Sequence, residues 1–171
     1  MLDHPVAVHS RLGHGSSFSV TVPRAEVAAA TAAVSSPRPR GAFGGARVLC
    51  IDNDAVILDG MAALLRGWDC RVIGAWTIEE AVARLEDQHP DIAIVDYHLD
   101  GSATGLAALE ALRARFGDVA AIVLTADHSE AAQDLITDRG YPLLYKPVKP
   151  AALRALLSRL VQLAQQPART F

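Results

Sequence analysis

The sequence predicts an α/β domain built on a doubly wound parallel sheet. From Arg47 onward, five short apolar runs alternate with segments of helical period: Val48–Ile51, Val72–Ala75, Ile92–Val95, Ala120–Leu124 and Leu143–Tyr145. Four of these runs are nearly continuous rather than alternating, as parallel strands covered on both faces should be. Each run is followed by a helical segment, and strand-then-helix units repeated in this way imply right-handed crossovers in one sheet.

Each element has its own local cause. In residues 1–24, Phe18, Val20 and Val22 alternate with Ser17, Ser19 and Thr21, the period of a half-buried strand. Gly13-His14-Gly15 suits a hairpin turn. A lone hairpin is marginal in water, so this piece reads as the remnant of something larger. Residues 25–45 are Ala-rich and then Ser-, Pro-, Arg- and Gly-rich, and read as a flexible linker. Residues 46–165 hold the α/β domain, and 166–171 are a tail.

Within the domain, Ile57, Met61, Leu64, Leu65 and Trp68 fall on one helical face. Ile78, Ala81, Val82 and Leu85 form a second such face, and Leu106, Leu109, Leu112 and Phe116 a third. Leu153, Leu156, Leu157, Leu160 and Val161 form the last. Thr77 and Glu80 have capping-box spacing, and Ser129 is placed to cap the Ala-rich fourth segment. Gly117 and Gly140 are placed to end helices with left-handed backbone angles.

Bulk properties narrow the function. The formal charge of −3 and the lack of any Lys/Arg run argue against a nucleic-acid or lipid surface. The chain reads as soluble and cytoplasmic, since it has no signal-peptide pattern and no long apolar stretch. Cys50 and Cys70 are expected as buried, reduced thiols. Lysine occurs only at Lys146 and Lys149.

In a doubly wound sheet, ligands bind beyond the carboxyl ends of the strands. Asp52, Asn53 and Asp54 follow the first run, Asp96 the third, Thr125 the fourth and Lys146-Pro147 the fifth. Clustered carboxylates repel unless a cation neutralises them. Hard oxygen donors favour Mg²⁺, which needs few protein groups. A Lys ammonium and a Thr hydroxyl can hold phosphoryl oxygens, and a carboxylate can itself accept a phosphoryl group.

The segments VLCIDND, IVDYHLDG, LTAD and LLYKPVKP together resemble the signatures of response-regulator receiver domains. The resemblance implies a flavodoxin-like sheet of strand order 2-1-3-4-5, a fold group of which that family is a standing example. It implies Asp96 as phosphoacceptor and Mg²⁺ held by Asp52, Asn53, Asp96 and the backbone carbonyl of His98. Thr125 and Lys146 would contact the phosphoryl group, and the Lys146–Pro147 bond would be cis. His98 and Asp127, two residues beyond the acceptor and the Thr, would tune hydrolysis of the aspartyl-phosphate. The implied activities are self-phosphotransfer and autodephosphorylation.

Three departures from the family pattern stand out. Asn53 replaces the second acid, which implies weaker Mg²⁺ binding. Leu143 occupies the place of the usual aromatic switch residue, while Tyr145 lies next to the Lys. The loop after Asp96 looks about one residue longer than is common, with Gly101 and Gly105 giving it freedom.

The stretch HPVAVHSRLGHGSSFSVTVP resembles the last hairpin of a histidine-kinase ATP-binding domain, which implies the carboxyl-terminal part of a hybrid kinase without its kinase core. The implied partners are that core or a His-containing phosphotransfer protein, with no nucleic acid or direct membrane contact; weak dimerisation is left open.

Two rivals are a haloacid-dehalogenase-like phosphatase with Asp52 as nucleophile, and a pseudo-receiver that only binds partners. Plainer roles are expected for Asp54 (helix cap), Asp100 (turn), Trp68 and Trp76 (packing), and Arg113 and Arg115 (solvated helix face). His4, His9 and His14 cannot easily converge on one metal ion from one hairpin.

Overall fold

The computed structural model describes residues 4–22, 43–99 and 104–165. Most of the expected linker, the tail, Asp100 and Gly101 lie outside the described residues. The chain divides into two units, Met1–Ser36 and Pro37–Phe171.

The described part of the first unit is an antiparallel hairpin of β1 (Val6–Arg11) and β2 (Gly15–Val20). Gly13 takes φ 76° in the turn and Gly15 φ 90° just after it, angles that glycine adopts without a Cβ penalty. The register pairs Val6 with Val20 and Val8 with Phe18, so these four share one face. That face is not half-buried as the alternation suggests. Phe18 is 75% exposed and Val6 67%. The pattern is that of an amphipathic strand, but nothing among the described residues of the unit covers its apolar side.

The second unit is the expected α/β sandwich. Its strands are β3 (Arg47–Ile51), β4 (Arg71–Ala75), β5 (Ile92–Asp96), β6 (Ala120–Thr125) and β7 (Leu143–Tyr145). They form one parallel sheet in the order β4-β3-β5-β6-β7, which is 2-1-3-4-5 counted within the unit. Its helices are α1 (Ala55–Gly67), α2 (Ile78–Leu85), α3 (Gly105–Phe116), α4 (Glu130–Thr137) and α5 (Pro150–Gln165).

Two cores result, one on each face of the sheet. Ile92 and Ile94 of β5 pack with α1 and α5, whereas Ala93 and Val95 pack with α2, α3 and α4. Each central strand therefore buries both faces, which is why its sequence shows no alternation. The face of α1 centres on Leu58, Met61, Ala62 and Leu65 rather than on Ile57. Phe43 is buried in the second core, tilted against Trp68 at 6.0 Å between ring centroids. The folded unit thus begins within the last residues of the expected linker. The sequence offered no periodicity there, only one aromatic among glycines.

Local chemistry sets the helix starts. Asp54 Oδ1 accepts from Val56 N–H at 2.8 Å, Thr104 Oγ1 from Ala107 N–H at 3.2 Å, and Ser129 Oγ from Ala132 N–H at 3.3 Å. Thr77 caps α2, but Glu80 returns to the N–H of Trp76, one residue before the cap. Gly117 caps α3 at φ 79°; Gly140, at φ 76°, comes two residues after the α4 cap Asp138. Trp76 corrects the packing expectation: it is 59% exposed, because it lies in the β4–α2 connection beyond the last core residue of the strand, Ala75. Cys50 and Cys70 are buried and unbridged. Among the described residues, no helix is long and apolar enough to cross a membrane.

Candidate functional site

Parallel strands that all point the same way end at one edge of the sheet. Asp52 follows β3, Asp96 ends β5, Thr125 ends β6, and Lys146 follows β7. Lys146 Nζ lies 2.8 Å from Asp52 Oδ2 and 3.0 Å from Asp96 Oδ1. The Asp52 and Asp96 side chains are 5% and 9% exposed, against 18% for Lys146. One ammonium therefore lies between two buried carboxylates.

Three of the four members are tied to backbone groups. Asp52 Oδ1 also accepts from Asp54 N–H at 2.9 Å. Lys146 N–H donates to the Thr125 carbonyl at 2.8 Å, tying the end of β7 to β6, and the Lys146–Pro147 bond is cis. Thr125 is fully buried, and its Oγ1 accepts from Asp127 N–H at 3.0 Å.

The electrostatics follow from burial. Desolvation raises the Asp96 carboxyl above its ordinary value, although the Lys146 hydrogen bond and charge pull the other way. Burial alone would lower the Lys146 ammonium, but its bonds to Asp52 and Asp96 outweigh this and hold it above its ordinary value. Two carboxylates against one ammonium leave an excess negative charge in a mostly dehydrated place.

The donor set suits one kind of cation. Among the described residues, no three His, Cys, Asp or Glu side chains form a metal cage. The two buried carboxylates, Asp52 and Asp96, suit Mg²⁺ nonetheless, because it keeps several waters and needs few protein oxygens. The residual negative charge favours such a cation.

The remaining sequence candidates divide. His98 Nε2 lies 3.6 Å from Asp127 Oδ2, so the two residues expected to tune hydrolysis are neighbours across the ends of β5 and β6. The Asp127 carboxyl is held below its ordinary value by hydrogen bonds from Ser129, with the charge of His98 adding to the effect. Asn53 is exposed. Leu143 is packed into the core on the α2–α4 side of the sheet, away from the acidic pocket.

Two features escaped the sequence. Gly105 is needed for close approach, not for freedom: a Cβ there would run into the Asp96 carbonyl oxygen and lie 3.1 Å from Val95 Cγ1. The Gly105 N–H also donates to the Tyr97 carbonyl at 2.9 Å, so the start of α3 is pressed onto the acceptor strand. His128 stacks on Tyr145, with centroids 4.4 Å apart and planes 18° apart. Neither has a local sequence signal, since each depends on residues that only the fold brings together.

A family model described as the response regulator receiver domain matches residues 48–158. No curated protein matches the chain. Among solved structures, a CheY-like receiver domain protein from Methanospirillum hungatei is 24% identical, with a TM-score of 0.63, covering 70% of this chain and 96% of that one. The chemotaxis protein CheY4 of Vibrio cholerae is 24% identical, with a TM-score of 0.60 and coverage of 67% and 98%. A Francisella response regulator receiver domain is 20% identical, with a TM-score of 0.63 and coverage of 70% and 99%. At these identities the likeness to solved structures is one of fold.

Proposed function

Because the chain belongs to the response-regulator receiver family, a family of two-component signalling, we propose that it accepts a phosphoryl group from a phosphohistidine onto Asp96. The observation that carries this reading is the convergence of Asp52, Asp96 and Lys146 at one strand edge, with the Lys146 ammonium within hydrogen-bond reach of both carboxylates.

In the transfer, a carboxylate oxygen of Asp96 attacks phosphorus and forms a P–O bond. The P–N bond to the donor imidazole breaks, and that nitrogen keeps the electron pair and takes up a proton. Phosphoryl transfer requires little of a protein beyond positioning and charge neutralisation. Lys146, already against Asp96, is placed to follow the developing charge on a phosphoryl oxygen. The Thr125 hydroxyl, one strand over, is placed to donate to a second. Asp52, Asn53, Asp96 and the His98 carbonyl are the groups that would hold Mg²⁺, which when bound neutralises phosphoryl oxygens and orients them.

Asp96 is a better acceptor than Asp52, the nucleophile of the phosphatase alternative. Both Asp52 oxygens are engaged, one by Lys146 and one by the Asp54 N–H. The donor is best read as a histidine kinase core or a His-containing phosphotransfer protein, and a hybrid-kinase parent is consistent with the hairpin ahead of the receiver. Phosphorylation with acetyl phosphate, with and without Mg²⁺, tests the proposal. We expect Mg²⁺-dependent labelling that is lost in Asp96→Asn. Labelling that persists in that variant but disappears in Asp52→Asn would favour the phosphatase, and no labelling of any variant would favour the pseudo-receiver.

A further inference from the structure

We infer that occupancy of Asp96 is transmitted to α4 through the stacked rings of His128 and Tyr145, which take over the coupling role from position 143. The inference rests on the phosphoacceptor reading and deepens it.

The coupling begins at β7. Side chains two apart on a strand share a face, so Leu143 and Tyr145 both point to the α4 side of the sheet while Leu144 points to the other. Leu143 is packed among core residues and has no polar tip, so it has nothing with which to sense a hydroxyl. Tyr145 lies one step nearer the acidic pocket, and the next residue is Lys146. Its ring stacks on His128, and its hydroxyl donates to Gln133 Oε1 on α4 at 3.2 Å.

A continuous relay runs along the segment that carries His128. Thr125 Oγ1 accepts from Asp127 N–H at 3.0 Å, Asp127 Oδ1 accepts from Ser129 N–H at 2.8 Å, and Ser129 Oγ caps α4. A phosphoryl group that draws the Thr125 hydroxyl towards itself weakens its bond with the Asp127 N–H. The turn between β6 and α4 is then free to repack, and His128 moves with it. The stack determines whether that movement reaches the first turns of α4, since Tyr145 grips His128 with its ring and Gln133 with its hydroxyl. An aromatic pair of this kind favours a few discrete arrangements over a continuum, which suits a loop that switches between two states.

The test uses beryllofluoride with Mg²⁺ on the full chain. The NMR signal of bound fluoride reads occupancy of the pocket, and amide hydrogen exchange of residues 126–133 reads the response of α4. We expect the wild type to show both. Tyr145→Leu and His128→Ala should bind beryllofluoride normally while the exchange response falls several-fold. The double variant should be no worse than either single one, because both remove one contact. Tyr145→Phe keeps the ring on His128 but removes the bond to Gln133, so its response should lie between those of the wild type and Tyr145→Leu, which separates stacking from misfolding. A full α4 response in Tyr145→Leu and His128→Ala, or additive losses in the double variant, would overturn the inference. Failure of the wild type to bind beryllofluoride would overturn the phosphoacceptor reading and this inference with it.

Discussion

Lys146 reaches Asp52 at 2.8 Å across nearly the whole α/β unit, from the end of its last strand to the end of its first. The same ammonium serves Asp96 at 3.0 Å, so two buried carboxylates share one cation. Removing a carboxylate charge should relieve the pocket. Asp96→Asn should raise stability by about 1 kcal/mol, roughly 4 °C in Tm, while abolishing phosphorylation. Lys146→Met should cost about 2 kcal/mol, less than a fully buried pair, because the ammonium is part-exposed. Combining the two should recover most of that loss. Urea unfolding at pH 7.5 without divalent cations measures all three, and strictly additive effects would contradict a shared cation.

The approach of Gly105 to Asp96 leads to a paired expectation. Gly105→Ala forces a methyl group into the Asp96 carbonyl, so it should cost about 1–3 kcal/mol, as overpacking does. It should also slow phosphorylation, because the displaced backbone carries the acceptor. Gly60 lies in α1 with open space where a Cβ would stand, and Gly60→Ala should stabilise by about 0.5–1 kcal/mol and leave labelling unchanged. Equal effects of the two substitutions on labelling would show that the close approach is irrelevant to the chemistry.

The difference between these glycines also marks where sequence reading reached its limit. The strands themselves, the strand-end positions of Asp52, Asp96, Thr125 and Lys146, and the caps at Asp54, Thr77 and Ser129 were legible, because each rests on local periodicity or a short-range hydrogen bond, whereas the sheet order was legible only through the family resemblance. Gly105 was legible only as a glycine. Its reason is a contact with Asp96, nine residues earlier, made across a turn whose path no period encodes. Phe43 and the His128–Tyr145 stack were missed for a similar reason: a single aromatic has no pattern until the tertiary fold supplies its neighbour. Val6, Val8, Phe18 and Val20 failed in the opposite direction, since alternation reports which face is apolar and not whether anything covers it.

His98 and Asp127 face each other at 3.6 Å over the ends of adjacent strands, two residues beyond Asp96 and Thr125. We expect this pair to obstruct the approach of water to an aspartyl-phosphate. His98→Ala and Asp127→Ala should each shorten the phosphoryl lifetime several-fold, and the double variant should add little to either. Following the decay of labelled protein after removal of the donor measures this; lifetimes unchanged in both single variants would remove these residues from the mechanism.

Asn53 sits beside Asp52 where a second carboxylate would add charge to a site that already favours a divalent cation. Asn53→Asp should tighten Mg²⁺ binding by about tenfold, or ~1.4 kcal/mol, and lower the Mg²⁺ concentration needed for half-maximal labelling. Mg²⁺ titration followed by Trp fluorescence or by thermal stabilisation measures the change. An unaltered affinity would mean that position 53 does not face the ion.

The buried thiols give the base limb of the stability profile. Burial pushes Cys50 up from 9.0 to about 12, with the charges of Cys70 and Asp52 adding to the shift. In the fold the thiol stays protonated where an unfolded chain would already have released its proton. The resulting stability is complete below pH 9 and is lost as pH rises from 9 towards 12, with a slope of up to about 1.4 kcal/mol per pH unit. Cys70, raised to about 11 mainly by burial, acts in the same direction, discounted because it lies less deep. Urea midpoints should therefore fall between pH 8 and pH 10, by an amount equivalent to roughly 2 kcal/mol for the two thiols together. Cys50→Ala lowers stability at every pH by leaving a small cavity, but its decline over that interval should be about half as steep as that of the wild type. Parallel declines in the two proteins would assign the alkaline loss to other groups.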